Sequence, residues 1–334
     1  MLRISFLITG ILAFALTAVS GFVLIPWLKK VKFGQTIKEI GPTWHRTKQG
    51  TPTMGGLMFY LGSMVAICAG LSLMMSQLKE ITGAVYTNQV LSLSISMLTA
   101  LGFGLIGFVD DYIKVVKKRN LGLKARYKIV GQVVVTALFL RGQNYIGHIS
   151  TYVEIPFIGG IDLKYFYWPI AFLGIIFMVN AVNLTDGIDG LCSSVSFIVA
   201  LGFMVISSAY GYYTNALFSV ALAGACAGFL VWNFYPAKVF MGDTGSMFLG
   251  GAVCAMAWAV NRPEILLFMG VIYTCEALSV VIQVLYFKAT HGKRIFKMSP
   301  IHHHYEMSGW SEIKIVTVFT LVRAVFAALA CIGF

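Results

Sequence analysis

Ten stretches of this chain are apolar for about 20 residues each, the length a helix needs to cross the hydrocarbon core of a bilayer. They run roughly over 4–28, 53–76, 90–109, 128–145, 167–183, 191–209, 214–232, 245–261, 264–287 and 314–333. Inside hydrocarbon every backbone N–H and C=O must find its partner within the protein, which leaves only helices and closed barrels. Runs this long choose helices. Composition agrees, since 58% of the 334 residues are hydrophobic and 11% are charged. A soluble domain carries about 25% charge. The expected architecture is an all-α integral membrane protein of about ten transmembrane helices, with residues 1–334 forming a single polytopic membrane domain. The first run has no small-residue cleavage site behind it and reads as a spanning helix rather than a removed signal. The fourth is shortened by Arg141 and Gln143. The ninth carries Glu276 and Gln283, which should face protein or a water-filled cavity.

The net charge of +12 would suggest nucleic acid in a soluble protein. Here the Lys and Arg gather in alternate loops, chiefly 29–52, 110–127 and 288–313. That is the pattern of cytoplasmic loops, and it predicts a lipid bilayer rather than nucleic acid as the partner. Both termini then lie outside. Omitting the fourth helix would put the basic 288–313 loop on the wrong side, so the charges support keeping it. The six Cys are scattered singly, without CxxC spacing, and indicate neither a disulfide framework nor a thiolate metal site. The longest external loop, 146–166, has short β-prone runs around Gly159-Gly160 and predicts a short β-hairpin.

The acids are few and unevenly placed. Of the six Asp, five (Asp110, Asp111, Asp186, Asp189 and Asp243) fall on the basic side near helix ends, and only Asp162 is external. A single Asp at a helix end is usually a cap. Five on one face, in three segments, point to a site. Adjacent carboxylates such as Asp110-Asp111 repel unless a cation lies between them. Hard cations such as Mg²⁺ take one or two carboxylates together with substrate phosphates. The stretch Asn180–Leu191 crowds Asn, Thr and Asp around Gly187 and Gly190, with no Lys or Arg, and predicts a tight polar turn facing a ligand. Gly-Asp-Thr-Gly-Ser at 242–246 precedes a helix expected to start near Ser246, whose N–H groups suit a phosphate or a simple capping turn. His302, His303 and His304 cannot all point one way on a helix, and zinc would prefer spaced His. Contact with a phosphorylated substrate and a structural hydrogen-bond role both remain open for them. Lys48, beside Gly50–Gly56, is the basic residue that stands apart from mere orientation. Carboxylates and cations at one membrane face suit metal-assisted phosphoryl chemistry on a lipid co-substrate. The rival class, a transporter, would place its ionisable groups near the midplane.

Five pieces of the chain, GTPTMGG at 50–56, FVDDY at 108–112, NAVNLTDGIDGL at 180–191, NFYPAKVFMGDTG at 233–245 and PIHHHYE at 300–306, resemble the polyprenyl-phosphate N-acetylhexosamine-1-phosphate transferase superfamily. The wording of 180–191 and the HHHYE run are similar to its muramoyl branch. The resemblance implies a ten-helix bundle with a broken or tilted ninth helix and a cytoplasmic cleft in the bacterial inner membrane. It implies a reaction in peptidoglycan synthesis, in which undecaprenyl phosphate attacks UDP-N-acetylmuramoyl-pentapeptide, UMP leaves and lipid I forms, with Mg²⁺ required. It assigns Asp243 as a Mg²⁺ ligand and puts Asp110 and Asp111 at the reacting centre, with Asp110 the better candidate to deprotonate the lipid phosphate. Asn183, Asp186, Gly187, Asp189, Asn233, Phe240 and Gln283 would line the nucleoside pocket, Phe240 by stacking on uracil. Lys48, Thr53, His302, His303 and His304 would complete the cleft, and a homodimer is implied. A sister enzyme transferring N-acetylglucosamine-1-phosphate to the same lipid is the nearest alternative.

Overall fold

Every residue from Thr244 to Ala259 is buried in α8, Gly242–Ala259, of the computed structural model. The structure describes residues 2–31, 48–78, 84–117, 121–155 and 159–333. Among the basic residues that orient the chain, Lys32, Lys38, Arg46, Lys118 and Arg119 lie outside the described residues. The sequence of α8 suits its central place, because Gly or Ala at seven of its sixteen buried positions lets neighbouring backbones approach closely. Around it stand α3 (Ala84–Val116) and α5 (Tyr167–Thr185). Beyond these, α7 (Tyr213–Asn233) packs between α1 (Leu2–Lys30) and α6 (Leu191–Ala209). The remaining long helices, α2 (Leu57–Leu78), α4 (Ala125–Tyr145), α10 (Val271–Ala289) and α12 (Glu312–Gly333), line the periphery. Apolar side chains such as Phe22, Val23, Leu98, Leu138, Leu173 and Leu321 are exposed on this outer surface, as a lipid solvent requires.

Each of the ten predicted runs contains a helix, and among the described residues eight helices are long and apolar enough to cross a membrane. The two that fall short, α4 and α8, do so for different reasons. α4 turns polar groups inward: Gln132, Thr136 and Gln143 are buried together with Phe139 and Leu140, while Ile129, Val130, Val134 and Leu138 are exposed. Gln132 and Asn180 of α5 exchange amide hydrogen bonds of 2.9 and 3.2 Å, and the Ser92 hydroxyl of α3 donates to Gln143 at 3.1 Å. Its polar groups therefore serve the bundle, which is why the run looked weak. α8 gives its first turn to Gly-Asp-Thr-Gly-Ser, and so starts four residues before the expected position. α3 is longer than expected and carries Asp110 and Asp111 inside the helix rather than beyond its end.

The ninth run is broken at Gly270 into α9 (Leu266–Met269) and α10, as the resemblance implied. Arg323 of α12, fully buried, donates to the Phe268 carbonyl at 2.8 Å at that break. A helix end leaves carbonyls without intrahelical partners, and the guanidinium supplies one donor there. The external hairpin is present, with β1 (Tyr152–Ile155) antiparallel to β2 (Gly159–Asp162) and Tyr152 opposite Asp162. Gly159-Gly160 begin the second strand instead of forming the turn, because Gly159 pairs with Ile155. The hairpin loop is held at the C-terminal end of α8, where His148 hydrogen-bonds the Ala259 carbonyl at 2.6 Å and the Ser150 N–H donates to Asn261 at 2.8 Å.

Candidate active site

At the other end of α8, about 27 Å away at 1.5 Å per residue over its 18 residues, three carboxylates converge. Asp110, Asp111 and Asp243 each offer an oxygen within 4.8 Å of the others. In each, one oxygen is held by protein donors and the other is turned inward. Asp110 Oδ1 accepts the Leu123 N–H at 2.9 Å. Asp111 Oδ2 accepts the Thr244 N–H at 2.9 Å and the Thr244 hydroxyl at 2.8 Å. Asp243 Oδ1 accepts the Asn183 amide at 2.9 Å. The inward oxygens meet the ammonium of Lys114, at 2.6 Å from Asp110, 3.3 Å from Asp111 and 3.1 Å from Asp243. Lys128 of α4 adds a second ammonium 2.8 Å from Asp243. Three inward oxygens with their rear oxygens fixed form a hard, preorganised donor set of the kind that holds a divalent cation beside a phosphate.

Local sequence explains the convergence. Lys114 lies four residues from Asp110 and three from Asp111, so one helix face brings all three together. Asp111 does cap a helix, as a lone Asp often does, but the capped helix is α8 rather than its own. The Thr244 N–H is therefore engaged by a side chain and is not a free phosphate donor. α3 can approach so closely because residue 107 is Gly: a Cβ there would overlap the carbonyl oxygen of Asp243. Gly242, at φ +68°, turns the chain into α8 and leaves room for Thr53 and Asp111, both of which a Cβ at this position would press upon. Residues 52–56 run alongside 240–241, with the Phe240 N–H donating to the Pro52 carbonyl and the Gly55 N–H to the Phe240 carbonyl, each at 2.8 Å. This pairing sets Thr53 beside Asp111 and holds the half-buried Phe240 two residues before Gly242.

A second ionic cluster adjoins the first through the α5–α6 turn. Lys48 lies 2.7 Å from Asp189 and 2.6 Å from Glu312, and the Ala237 N–H donates to Asp189 at 2.9 Å. Asn233 is buried; its Oδ1 accepts from the Gly190 N–H and the Ser193 hydroxyl, and its amide donates to the Val239 carbonyl at 3.0 Å. It ties the two polar turns together. Gln283 accepts the Ile295 and Phe296 N–H groups at 3.1 and 3.0 Å, and so fastens the 288–300 segment to α10. Asp186, at the C-terminus of α5, is half-buried, and enclosure together with the Asp243, Asp111 and Asp189 carboxylates raises its pKa well above the usual range.

The three His of α11 (Ile301–Glu306) take three different partners, although the His302 and His303 rings lie 4.1 Å apart. His302 is fully buried, with Nδ1 3.0 Å from Glu276 and Nε2 against Gly187, whose lack of a side chain makes that contact possible. His303 hydrogen-bonds Glu306 at 2.6 Å, and His304 accepts the Lys297 N–H at 3.1 Å. His302 thus supports the turn bearing Asp186 and Gly187 from beneath. Sequence reasoning missed Lys114, Lys128 and Glu312 as site residues. The spacing of Lys114 from the Asp pair was a usable signal, whereas nothing local marks Lys128 or Glu312.

Comparisons with known proteins agree with this geometry. Residues 93–261 match glycosyl transferase family 4, and residues 48–59 match signature 1 of phospho-N-acetylmuramoyl-pentapeptide-transferase. The phospho-N-acetylmuramoyl-pentapeptide-transferase of Halalkalibacterium halodurans is 48% identical over 99% of this chain and 98% of its own. Those of Shouchella clausii and Bacillus mycoides are 46% and 45% identical, over 96% and 98% of this chain and 94% and 98% of theirs. A bundle of membrane-spanning helices, a carboxylate cluster at one end and near-full-length likeness lead to one conclusion: the chain belongs to the phospho-N-acetylmuramoyl-pentapeptide-transferase family.

Proposed function

We propose that this protein transfers phospho-N-acetylmuramoyl-pentapeptide from UDP-N-acetylmuramoyl-pentapeptide to undecaprenyl phosphate, forming lipid I and UMP in peptidoglycan biosynthesis. The observation that carries the reading is the set of three inward carboxylate oxygens around Lys114, at one end of a bundle whose outer surface is lipid-like. An oxygen of the lipid phosphate attacks the β-phosphorus of the nucleotide substrate, the bond to the bridging oxygen breaks, and UMP carries that oxygen away. Lys114 and Lys128 neutralise phosphate charge as the bond shifts. Asp110 takes any proton left on the lipid phosphate. Asn183, Asp186, Gly187, Asp189, Asn233, Phe240 and Gln283 shape the nucleoside pocket, several of them by holding its turns, and Lys48, Thr53 and the His run complete the cleft.

The donor set fits Mg²⁺, since three carboxylates offer only hard oxygen ligands. Asp243 would hold the ion, with Asp110 and Asp111 beside it. Bound there, Mg²⁺ would supply electrostatic stabilisation of the diphosphate. The basic loops on the same side as the site support a cytoplasmic cleft, and the enzyme acts as a homodimer. The test is purified protein in detergent with both substrates. Lipid I and UMP should form with Mg²⁺, stop with EDTA and resume when Mg²⁺ is restored. Turnover with UDP-N-acetylglucosamine alone would refute the substrate, and product formation without a sealed compartment excludes a transporter.

A further inference from the structure

Glu312 opens α12, outside both stretches that match the family, yet two distant segments, those of Lys48 and Asp189, meet at its carboxylate. Lys48 Nζ lies 2.6 Å from Oε1 and 2.7 Å from Oε2, and the Asp189 N–H donates to Oε2 at 3.1 Å. Lys48 is also 2.7 Å from Asp189 Oδ1. One ammonium thus sits between two carboxylates whose side chains are 2% and 9% exposed, while its own is 14% exposed. A buried cluster with one positive and two negative charges carries a desolvation cost that stability alone does not favour. Orientation explains it better. An ammonium has three N–H donors. Asp189 and Glu312 place three oxygens within 2.7 Å of it, and the Tyr235 ring lies 5.9 Å away, which fixes where the ammonium charge stands.

We infer that Glu312 is a positioning residue for nucleotide binding. Together with Asp189 it holds Lys48 so that the ammonium charge faces an acceptor oxygen of the nucleotide donor substrate. Glu312 does not touch the substrate, and acts through Lys48 and through the Asp189 backbone. The inference rests on the function proposed above and deepens it.

The test uses the full chain in detergent, with initial rates measured against UDP-N-acetylmuramoyl-pentapeptide at saturating undecaprenyl phosphate, and then the reverse. Glu312→Ala should raise KM for the nucleotide substrate about tenfold, in line with loss of one partner of a buried charge pair. KM for the lipid and kcat should change less than about twofold. In a Lys48→Ala background the same substitution should add nothing further, because both remove one interaction. If Glu312→Ala does not fold, Glu312→Gln decides, since it keeps the size and the acceptor for the Asp189 N–H while removing the charge. An unchanged nucleotide KM in the folded variant, equal shifts for both substrates, or a further rise in the Lys48→Ala background would overturn the inference alone. Absence of transfer by the unaltered protein would overturn the proposed function, and the inference with it.

Discussion

Asp111 joins the fold to the chemistry, and two substitutions separate these roles. Its Oδ2 accepts both the N–H and the hydroxyl of Thr244, at 2.9 and 2.8 Å, while Oδ1 faces Lys114. Thr244 is fully buried, so removing the acceptor leaves two donors in a place without water. A hydrogen bond to a charged group is worth about 1.5–3 kcal/mol. Two on one oxygen are not independent, which puts Asp111→Ala at about 3–4 kcal/mol of lost stability. For a chain of this size that corresponds to an apparent melting midpoint lower by roughly 4–6 °C. Asp111→Asn behaves differently. Its amide oxygen still accepts from Thr244, so the midpoint should fall by only about 2 °C, whereas the amide N–H₂ now faces Lys114 and the inward charge is gone. Turnover should drop on the order of 100-fold, the scale of losing one preorganised electrostatic group. Thermal scans in detergent and UMP release measured on the same preparations give both numbers. An Asp111→Ala variant as stable as the unaltered protein would refute the cap that α3 places on α8. A fully active Asp111→Asn would refute the need for a third carboxylate.

Other substitutions probe the architecture. Gly107→Ala drives a methyl into the Asp243 carbonyl and should cost about 1–3 kcal/mol, the usual scale of overpacking, while moving Asp243 enough to depress UMP release. Asp186→Asn should raise the apparent melting midpoint more at pH 8 than at pH 5. A carboxyl whose pKa is raised by folding costs the native state nothing below its unfolded pKa; the cost grows as pH rises from there and is complete above the folded pKa. Asp162→Ala should leave turnover unchanged within about twofold, because that carboxylate belongs to the hairpin at the far end of α8. Arg323→Leu removes the donor to the Phe268 carbonyl at the α9–α10 break and should lower the melting midpoint by the equivalent of about 1–3 kcal/mol.

The long apolar runs were legible because hydrocarbon imposes a simple rule on them, and even the weak fourth run followed from charge placement. Its weakness proved to be tertiary in origin: Gln132 and Gln143 look like defects along the chain and are interhelical partners in space. The acids were legible as a group because their scarcity makes their placement informative. Their individual tasks were not. Asp111 and Asp189 reach partners 133 and 123 residues away or more, at Thr244 and Glu312, and no local pattern encodes such distances. The same limit hid Lys128 and Glu312, whose neighbours along the chain give no hint of a site.

By itself the sequence determined that the chain lies in a bilayer, which stretches cross it, and which face carries the acids, since these depend on hydropathy and charge summed over local segments. Only the tertiary structure decided which oxygen of each carboxylate turns inward, that Lys114 stands at their centre, and that the three His separate into different roles. Those outcomes depend on contacts of about 3 Å between helices far apart in sequence, and hydrogen-bond geometry at that range is set by packing rather than by composition.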